Sequence, residues 1–290
     1  MAKKTQPAPA SEIRFTNIEK VMYPEKGYTK GDVLAYYQAA ARLLLPHLKD
    51  RPVTLERLPD GVREGAPRFW QKNTPPYYPK WIKRVDFPTE KGKSVCYALI
   101  NDAKTLLYLV NQGVLTFHTW LSRAPTPDQP DFVIFDLDPG EASFKDVVKI
   151  AQQVRIELEA ERAKALVKTS GKSGLHVMTP WKKEGGHGEA RAWAIAIAER
   201  IVEALPKIAT TERLKEARKG RVYVDVIQNA RGHHVVPPYV LRATSTGTVS
   251  TPLDWEEING RLNPRKFDIK AALERFKKIK KDPLAALLKP

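Results

Sequence analysis

The chain has 290 residues, 42% of them apolar and 28% charged, the balance of a soluble globular protein with a proper core. Lys and Arg outnumber Asp and Glu by 49 to 33, and the formal charge of +16 favours a polyanionic partner, nucleic acid being the simplest. The single cysteine, Cys96, excludes an internal disulfide and a cysteine zinc cluster, and within SVCYALI it reads as a small buried hydrophobe.

In chain order, residues 1–12 are polar and Pro/Ala-rich, are expected to form a loose tail, and lack the apolar core of a secretory signal. In YTKGDVLAYYQAAARLLLPHL, Thr29 and Asp32 have the spacing of a capping box, and Val33, Tyr36, Ala40, Leu44 and Leu48 make a helical stripe. PVTLERL alternates like a strand. Residues 59–93 are rich in Pro, Lys and aromatics and read as a surface segment. A short helix opens at Asn101 or Asp102 and closes at Gly113. Strands are expected at 114–120 and 131–137, then a helix begun by Ser143 with Val147, Ile150, Ala151, Val154 and Leu158 on its buried face. ALVKT and GLHVMT are strands hinged by SGKS. GEARAWAIAIAERIVEAL is a helix whose apolar stretch is too short to span a membrane. RVYVDVIQN and HHVVPPYVLRA read as the last strands, and a Lys/Arg-rich helix follows Trp255. Interleaved strands and helices predict an α+β (mixed α/β) fold with a largely antiparallel sheet flanked by helices.

FVIFDLDPG is the most informative segment. Strand alternation places Ile134, Asp136 and Asp138 on one face and Val133, Phe135 and Leu137 on the other. Two neighbouring carboxylates repel unless a cation lies between them, and hard Mg²⁺ or Mn²⁺ ions take such oxygens. Asp225, inside the apolar RVYVDVIQN, is a third candidate if its strand neighbours this one. A strand-end turn completed by Pro139-Gly140 is the plain alternative for Asp136 and Asp138.

The letters G-K-S at 171–173 suggest a nucleotide P-loop. That motif needs a glycine five residues earlier, where Leu166 stands, and a helix afterwards, where GLHVMTP reads as a strand. The P-loop is rejected. Gly171 and Gly174 with Ser170, Ser173 and Lys172 still make an anion-friendly turn, and His176 points away from Leu175 and Val177. An ordinary hairpin loop with a half-buried histidine is the alternative.

Taken in order, TNIEKVMYPEKGYTK, LERLPDG, FWQKNTP, FHTW, FDLDPG, KTSGKSGLHV, DVIQNARG and PPYVLRA resemble the polymerase domain of bacterial ligase D and its stand-alone relatives, within the archaeo-eukaryotic primase superfamily. The resemblance covers about residues 13–288 and implies one primase-polymerase domain, with an N-terminal lobe over about 13–113 and a catalytic sheet over about 114–255. It implies that Asp136, Asp138 and Asp225 are catalytic and bind two Mn²⁺ or Mg²⁺ ions. Ser170, His176, His118, Arg242, Gln228 and Lys172 match the nucleotide site. Asn17, Lys20 and Lys30 match a pocket for a DNA 5′-phosphate, and Phe69 and Trp70 the template-stacking aromatics. Each of these has a plain reading too: surface lysines, core aromatics, a satisfied core histidine or a structural arginine. The chain departs from the pattern at S-G-K-S-G, where many members read S-G-G-K-G, at Trp70, often Phe, and at Glu56, where some have Lys. The implied function is template-dependent addition of NTP or dNTP, with ribonucleotides preferred, at gaps and double-strand breaks during non-homologous end joining. The implied partners are Ku and an ATP-dependent DNA ligase, in the cytoplasm at the nucleoid and away from any membrane. De novo priming, or a non-catalytic DNA-end-binding module, are the alternatives.

Overall fold

The computed structural model describes residues 13–89 and 92–288. The tail expected over 1–12 lies outside them. β1 (Val21–Tyr23) and β2 (Tyr28–Thr29) form a ribbon leading into α1 (Lys30–Leu48). Thr29 Oγ1 accepts the Asp32 N–H at 3.2 Å and the Asp32 carboxylate accepts the Thr29 N–H at 2.7 Å, the reciprocal cap its spacing predicts. β3 (Pro52–Arg57), β4 (Phe69–Gln71), β5 (Arg84–Pro88) and β6 (Ser94–Leu99) follow. α2 (Ala103–Asn111), capped by Asp102, leads to β7 (Val114–Trp120). β8 (Ser122–Arg123) and β9 (Thr126–Pro130) make a second ribbon. Then come β10 (Phe132–Asp138), α3 (Phe144–Ala160), β11 (Leu166–Thr169), β12 (Leu175–Pro180) and α4 (His187–Ala204). β13 (Ala209–Thr210), β14 (Val222–Asp225), β15 (His234–Val235), β16 (Pro252–Leu253) and α5 (Ile269–Lys278) complete the order.

The fold is α+β and its sheets are largely antiparallel. Apart from the two ribbons, the strands divide between two six-stranded sheets. One runs β13-β14-β10-β12-β11-β16, with only β13 and β14 parallel. The other runs β15-β7-β3-β6-β5, with β4 also on β3, and is antiparallel throughout. β7, which begins just after residue 113, pairs along β3 and shares a sheet with the N-terminal strands.

Alternation decides which helices cover which face. Val133, Phe135 and Leu137 of β10 pack under α3 and α4 with Val147, Ile150, Val154, Ala194 and Ile197. α1, α2 and α5 cover the other sheet through Tyr36, Leu44, Leu106 and Phe276 against Val53, Leu55 and Phe117. Each such side chain, fully buried, contributes roughly 1.5–3 kcal/mol relative to exposure. Ile134, on the far face of β10, packs instead with Met178, Val235 and Leu284. That face, two residues further on, carries Asp136.

Four local expectations change. RVYVDVIQN stops being a strand at Asp225, because the Asp225 carboxylate accepts the Ile227 N–H at 2.8 Å and curls the chain into a 3₁₀ turn over Ile227–Asn229. The Asn229 amide then takes over the ladder, bonding the Ile134 N–H and C=O at 2.9 and 2.8 Å. HHVVPPYVLRA pairs in the sheet only at His234–Val235, because Pro237 and Pro238 lack N–H donors. The last helix starts at Ile269, capped by Asp268, after 3₁₀ turns at Trp255–Glu257 and Pro264–Lys266. Cys96 is only half-buried, on a strand near the sheet edge.

Candidate active site

β14 lies beside β10 with Asp225 opposite Asp136, and β12 lies on the other side with His176 opposite Asp136. Three adjacent strands thus align Asp225, Asp136 and His176, with Asp138 two residues along β10. The His176 Nε2 is 3.3 Å from Asp136 Oδ1. Gln228 Nε2 donates to Asp225 Oδ2 at 3.1 Å. Asp138 accepts Arg218 Nη1 at 3.1 Å and the Gly140 N–H at 3.2 Å, so both its oxygens have donors. Burial, and then the charge of Asp136, push the Asp225 carboxyl above its ordinary value. Burial would also raise Asp136, but His176, Lys168 and Arg242 outweigh it and hold Asp136 below the usual range.

Mutual repulsion and an all-oxygen donor set suit a hard divalent ion. Among the described residues no three His, Cys, Asp or Glu side chains are already gathered as metal ligands. Each aspartate instead rests on a neighbouring donor, Asp138 on Arg218.

The loop between β11 and β12 forms one wall. The Ser170 Oγ accepts the N–H groups of Lys172 and Gly174 at 3.2 and 3.1 Å, which leaves its own proton to donate. Gly171 has φ +74°, and a Cβ there would stand 2.5 Å from Arg242 Cγ. A Cβ on Gly174 would stand 2.1 Å from the Leu137 carbonyl oxygen. Both glycines are needed for the loop to lie on Arg242 and on the end of β10. Arg242 is buried and its Nη1 donates to the Ser170 carbonyl at 2.8 Å. Lys172 is exposed at the mouth. A strand follows this loop, as the rejection of the P-loop required.

The opposite wall comes from the other sheet. His118 of β7 has its Nε2 3.5 Å from a carboxylate oxygen of Glu56, which is 1% exposed and paired with Arg68. Burial alone would raise the Glu56 carboxyl, yet His118 and Arg68 pull it down to about 2. Burial lowers His118, partly offset by Glu56. The Trp70 ring lies 4.9 Å from the His118 ring, and the Arg68 guanidinium sits 5.6 Å from the Trp70 centroid. Phe69 and Trp70 are half-exposed on β4. Between these walls is a cavity of about 410 Å³ lined by His118, Asp136, Asp138, Asp225, Ser170, Lys172, His176, Gln228 and Arg242. Nine predicted residues from both halves of the sequence therefore converge.

Asn17, Lys20 and Lys30 cluster elsewhere; none lines this cavity. Asn17 is exposed with φ +53°. Lys30 is buried, its Nζ donates to the Thr16 carbonyl at 2.7 Å, and its N–H donates to the Lys20 carbonyl at 2.7 Å. Lys20 Nζ donates to Asp60 at 2.5 Å, an anion the sequence pattern does not reveal. Burial, and then Lys20, push the Lys30 ammonium down.

Sequence reasoning also misses Arg218, Tyr223 and His234, which line the cavity, and Lys168 and Ser250 behind it. A lysine inside the apolar ALVKT strand is the signal for Lys168. Arg218, in a polar stretch crowded with cations, offers none.

The family described as LigD, primase-polymerase domain, matches residues 29–284. The multifunctional non-homologous end joining protein LigD of Mycolicibacterium smegmatis is 34% identical over 260 residues, covering 88% of this chain and 34% of that protein. The bifunctional LigD of Bacillus subtilis is 33% identical over 273 residues, covering 92% of this chain and 43% of that protein. The chain thus spans a third to less than half the length of these relatives. The solved polymerase domain of Mycobacterium tuberculosis ligase D, in complex with DNA, matches with a TM-score of 0.89 at 30% identity, covering 96% of this chain and 98% of that one. A fold shared end to end with that domain, together with the family match over most of its length, establishes that the chain belongs to the LigD primase-polymerase domain family of DNA-directed nucleotidyltransferases.

Proposed function

We propose that this chain is a template-dependent polymerase that extends 3′ ends and fills gaps at DNA breaks, preferring ribonucleotides, within non-homologous end joining. The observation that carries this reading is the register that sets Asp225 and His176 on either side of Asp136, beneath the Ser170–Gly174 loop. Asp136, Asp138 and Asp225 would hold two divalent ions, Mn²⁺ or Mg²⁺. When bound, such ions lower the pKa of a primer 3′-hydroxyl and stabilise charge developing on the α-phosphate and pyrophosphate. Ser170, His176 and Arg242 hold the triphosphate oxygens, with Lys172 at the entrance. His118 and Gln228 bracket the nucleotide, and Phe69 and Trp70 give a template base a stacking surface. Asn17, Lys20 and Lys30 take the downstream 5′-phosphate. The partners in this reading are gapped or broken DNA, NTP or dNTP, Ku and an ATP-dependent ligase. No described helix is long and apolar enough to cross a membrane, and a cytoplasmic, nucleoid-associated setting belongs to the same proposal.

Primer extension on a gapped duplex, with Mn²⁺ and NTP or dNTP, tests it. Wild type extends, and Asp136→Ala falls by roughly 10²–10³-fold or more. No extension by wild type overturns the polymerase reading, and equal extension by both overturns the site. Omitting the primer in the same assay separates gap filling from de novo priming.

A further inference from the structure

Lys168 has no exposed surface and, among the described residues, pairs with no carboxylate directly, an expensive setting for a lysine with no task. Its Nζ lies 2.8 Å from His176 Nδ1 and 2.7 Å from Ser250 Oγ. The direction of these bonds follows from counting protons. Ser250 Oγ donates its one proton to the Thr169 carbonyl at 3.1 Å, so towards Lys168 it only accepts. At the other end, the ionised Asp136 carboxylate only accepts, so the His176 Nε2 at 3.3 Å from it carries the proton. A neutral imidazole protonated on Nε2 has a bare Nδ1, which needs a donor. Lys168 is the donor within reach, fixed from behind by β11 pairing Lys168 against His176.

We propose that Lys168 is a positioning residue that donates to His176 Nδ1, locks the imidazole in its Nε2–H tautomer, and so keeps that N–H turned into the cavity towards Asp136 and the nucleotide's phosphates. The phosphate role of His176 rests on the function proposed above; the tautomer does not. A histidine turned the other way would present a lone pair to a carboxylate and a polyphosphate, the wrong polarity for either. Lys168 touches neither substrate nor metal ligand and acts through His176 alone.

Two-bond ¹H–¹⁵N correlation spectra of the six histidines, with His176 assigned by its loss in His176→Gln, read the tautomer without any activity assay. Wild type is expected to show a protonated Nε2 and a bare Nδ1 at His176, and Lys168→Met to populate the opposite tautomer. Ser250→Ala, a smaller change, is expected to shift His176 in the same direction, and it decides the matter if Lys168→Met does not fold. In extension assays, Lys168→Met is expected to lower kcat/KM for the nucleotide about tenfold or more, the worth of one buried hydrogen bond. The same change should add little in a His176→Ala background. An Nδ1–H tautomer in wild type, an unchanged tautomer in both variants, or fully additive kinetic losses would overturn the proposal. A wild type that extends no primer but shows the expected tautomer sinks the polymerase reading and leaves this one standing.

Discussion

Glu56 carries its charge where only 1% of its surface meets solvent. The Arg68 cation beside it makes that tolerable, with the His118 ring 3.5 Å from the other carboxylate oxygen. A carboxyl held below its ordinary value stabilises the fold above that value and loses the contribution as pH falls. For Glu56 the window runs from 4.5 down to about 2. Glu56→Gln keeps the shape and removes the charge, so it is expected to lose about 1–3 kcal/mol at pH 7. Urea unfolding at pH 7 and pH 3 checks this. The gap between variant and wild type should narrow at the lower pH, and an equal gap at both would mean that the charge is not what matters. Asp136 and Asp225 diverge by the same kind of reasoning. They face each other across one ladder, yet His176, Lys168 and Arg242 lower one carboxyl, while burial and the other's charge raise the second. The identities of these acids were readable from FDLDPG and VYVD. Their unequal environments were not, because Lys168, His176 and Arg242 arrive from other segments.

Among the elements, the hairpin β11–β12 carries most of the site. Its two glycines have separate causes: Gly171 needs a left-handed φ, and Gly174 has no room for a Cβ against the Leu137 carbonyl. Gly174→Ala is expected to cost about 1–3 kcal/mol through overpacking. It should also reduce extension, because Leu137 sits between Asp136 and Asp138. Gly188, in the first turn of α4, has an ordinary φ and open space where a Cβ would stand, with nothing within 4 Å. Gly188→Ala should therefore stabilise by roughly 0.5–1 kcal/mol. Chemical denaturation of the pair separates crowding from propensity; a harmless Gly174→Ala would refute the close-approach argument. Helix starts at Thr29, Asp102 and Ser143 were legible because a cap is a local hydrogen bond. The end of β14 was not, because Asn229 replaces a strand partner of β10 from outside the ladder.

At the scale of the molecule, the charge of +16 predicts binding to nucleic acid that is steeply salt-dependent. Affinity for a gapped duplex is expected to fall about 10³-fold between 50 and 200 mM salt through counterion release, measured by fluorescence anisotropy. A flat salt response would refute binding through the chain's positive charge. Lys20 is bonded to Asp60 in an exposed pair that contributes little to stability and is available for exchange. Lys20→Met should weaken binding to a 5′-phosphorylated gap about tenfold and leave a 5′-hydroxyl gap nearly unchanged, while Asp60→Asn should strengthen the former. Equal losses on both DNAs would assign Lys20 to general charge rather than end recognition.

Composition, caps and strand alternation are properties of neighbours along the chain, and they determined the class of fold, the helix starts, the face on which Asp136 and Asp138 lie, and the rejection of the P-loop. Tertiary structure alone decided that β7 joins β3, that the strands form two sheets, and that a cavity opens between them. It also set Arg218 on Asp138 and Lys168 behind His176. Those contacts join residues up to 80 positions apart. Local spacing leaves no trace of such pairs, because their partners are chosen by sheet register and by the desolvation each buried charge must offset.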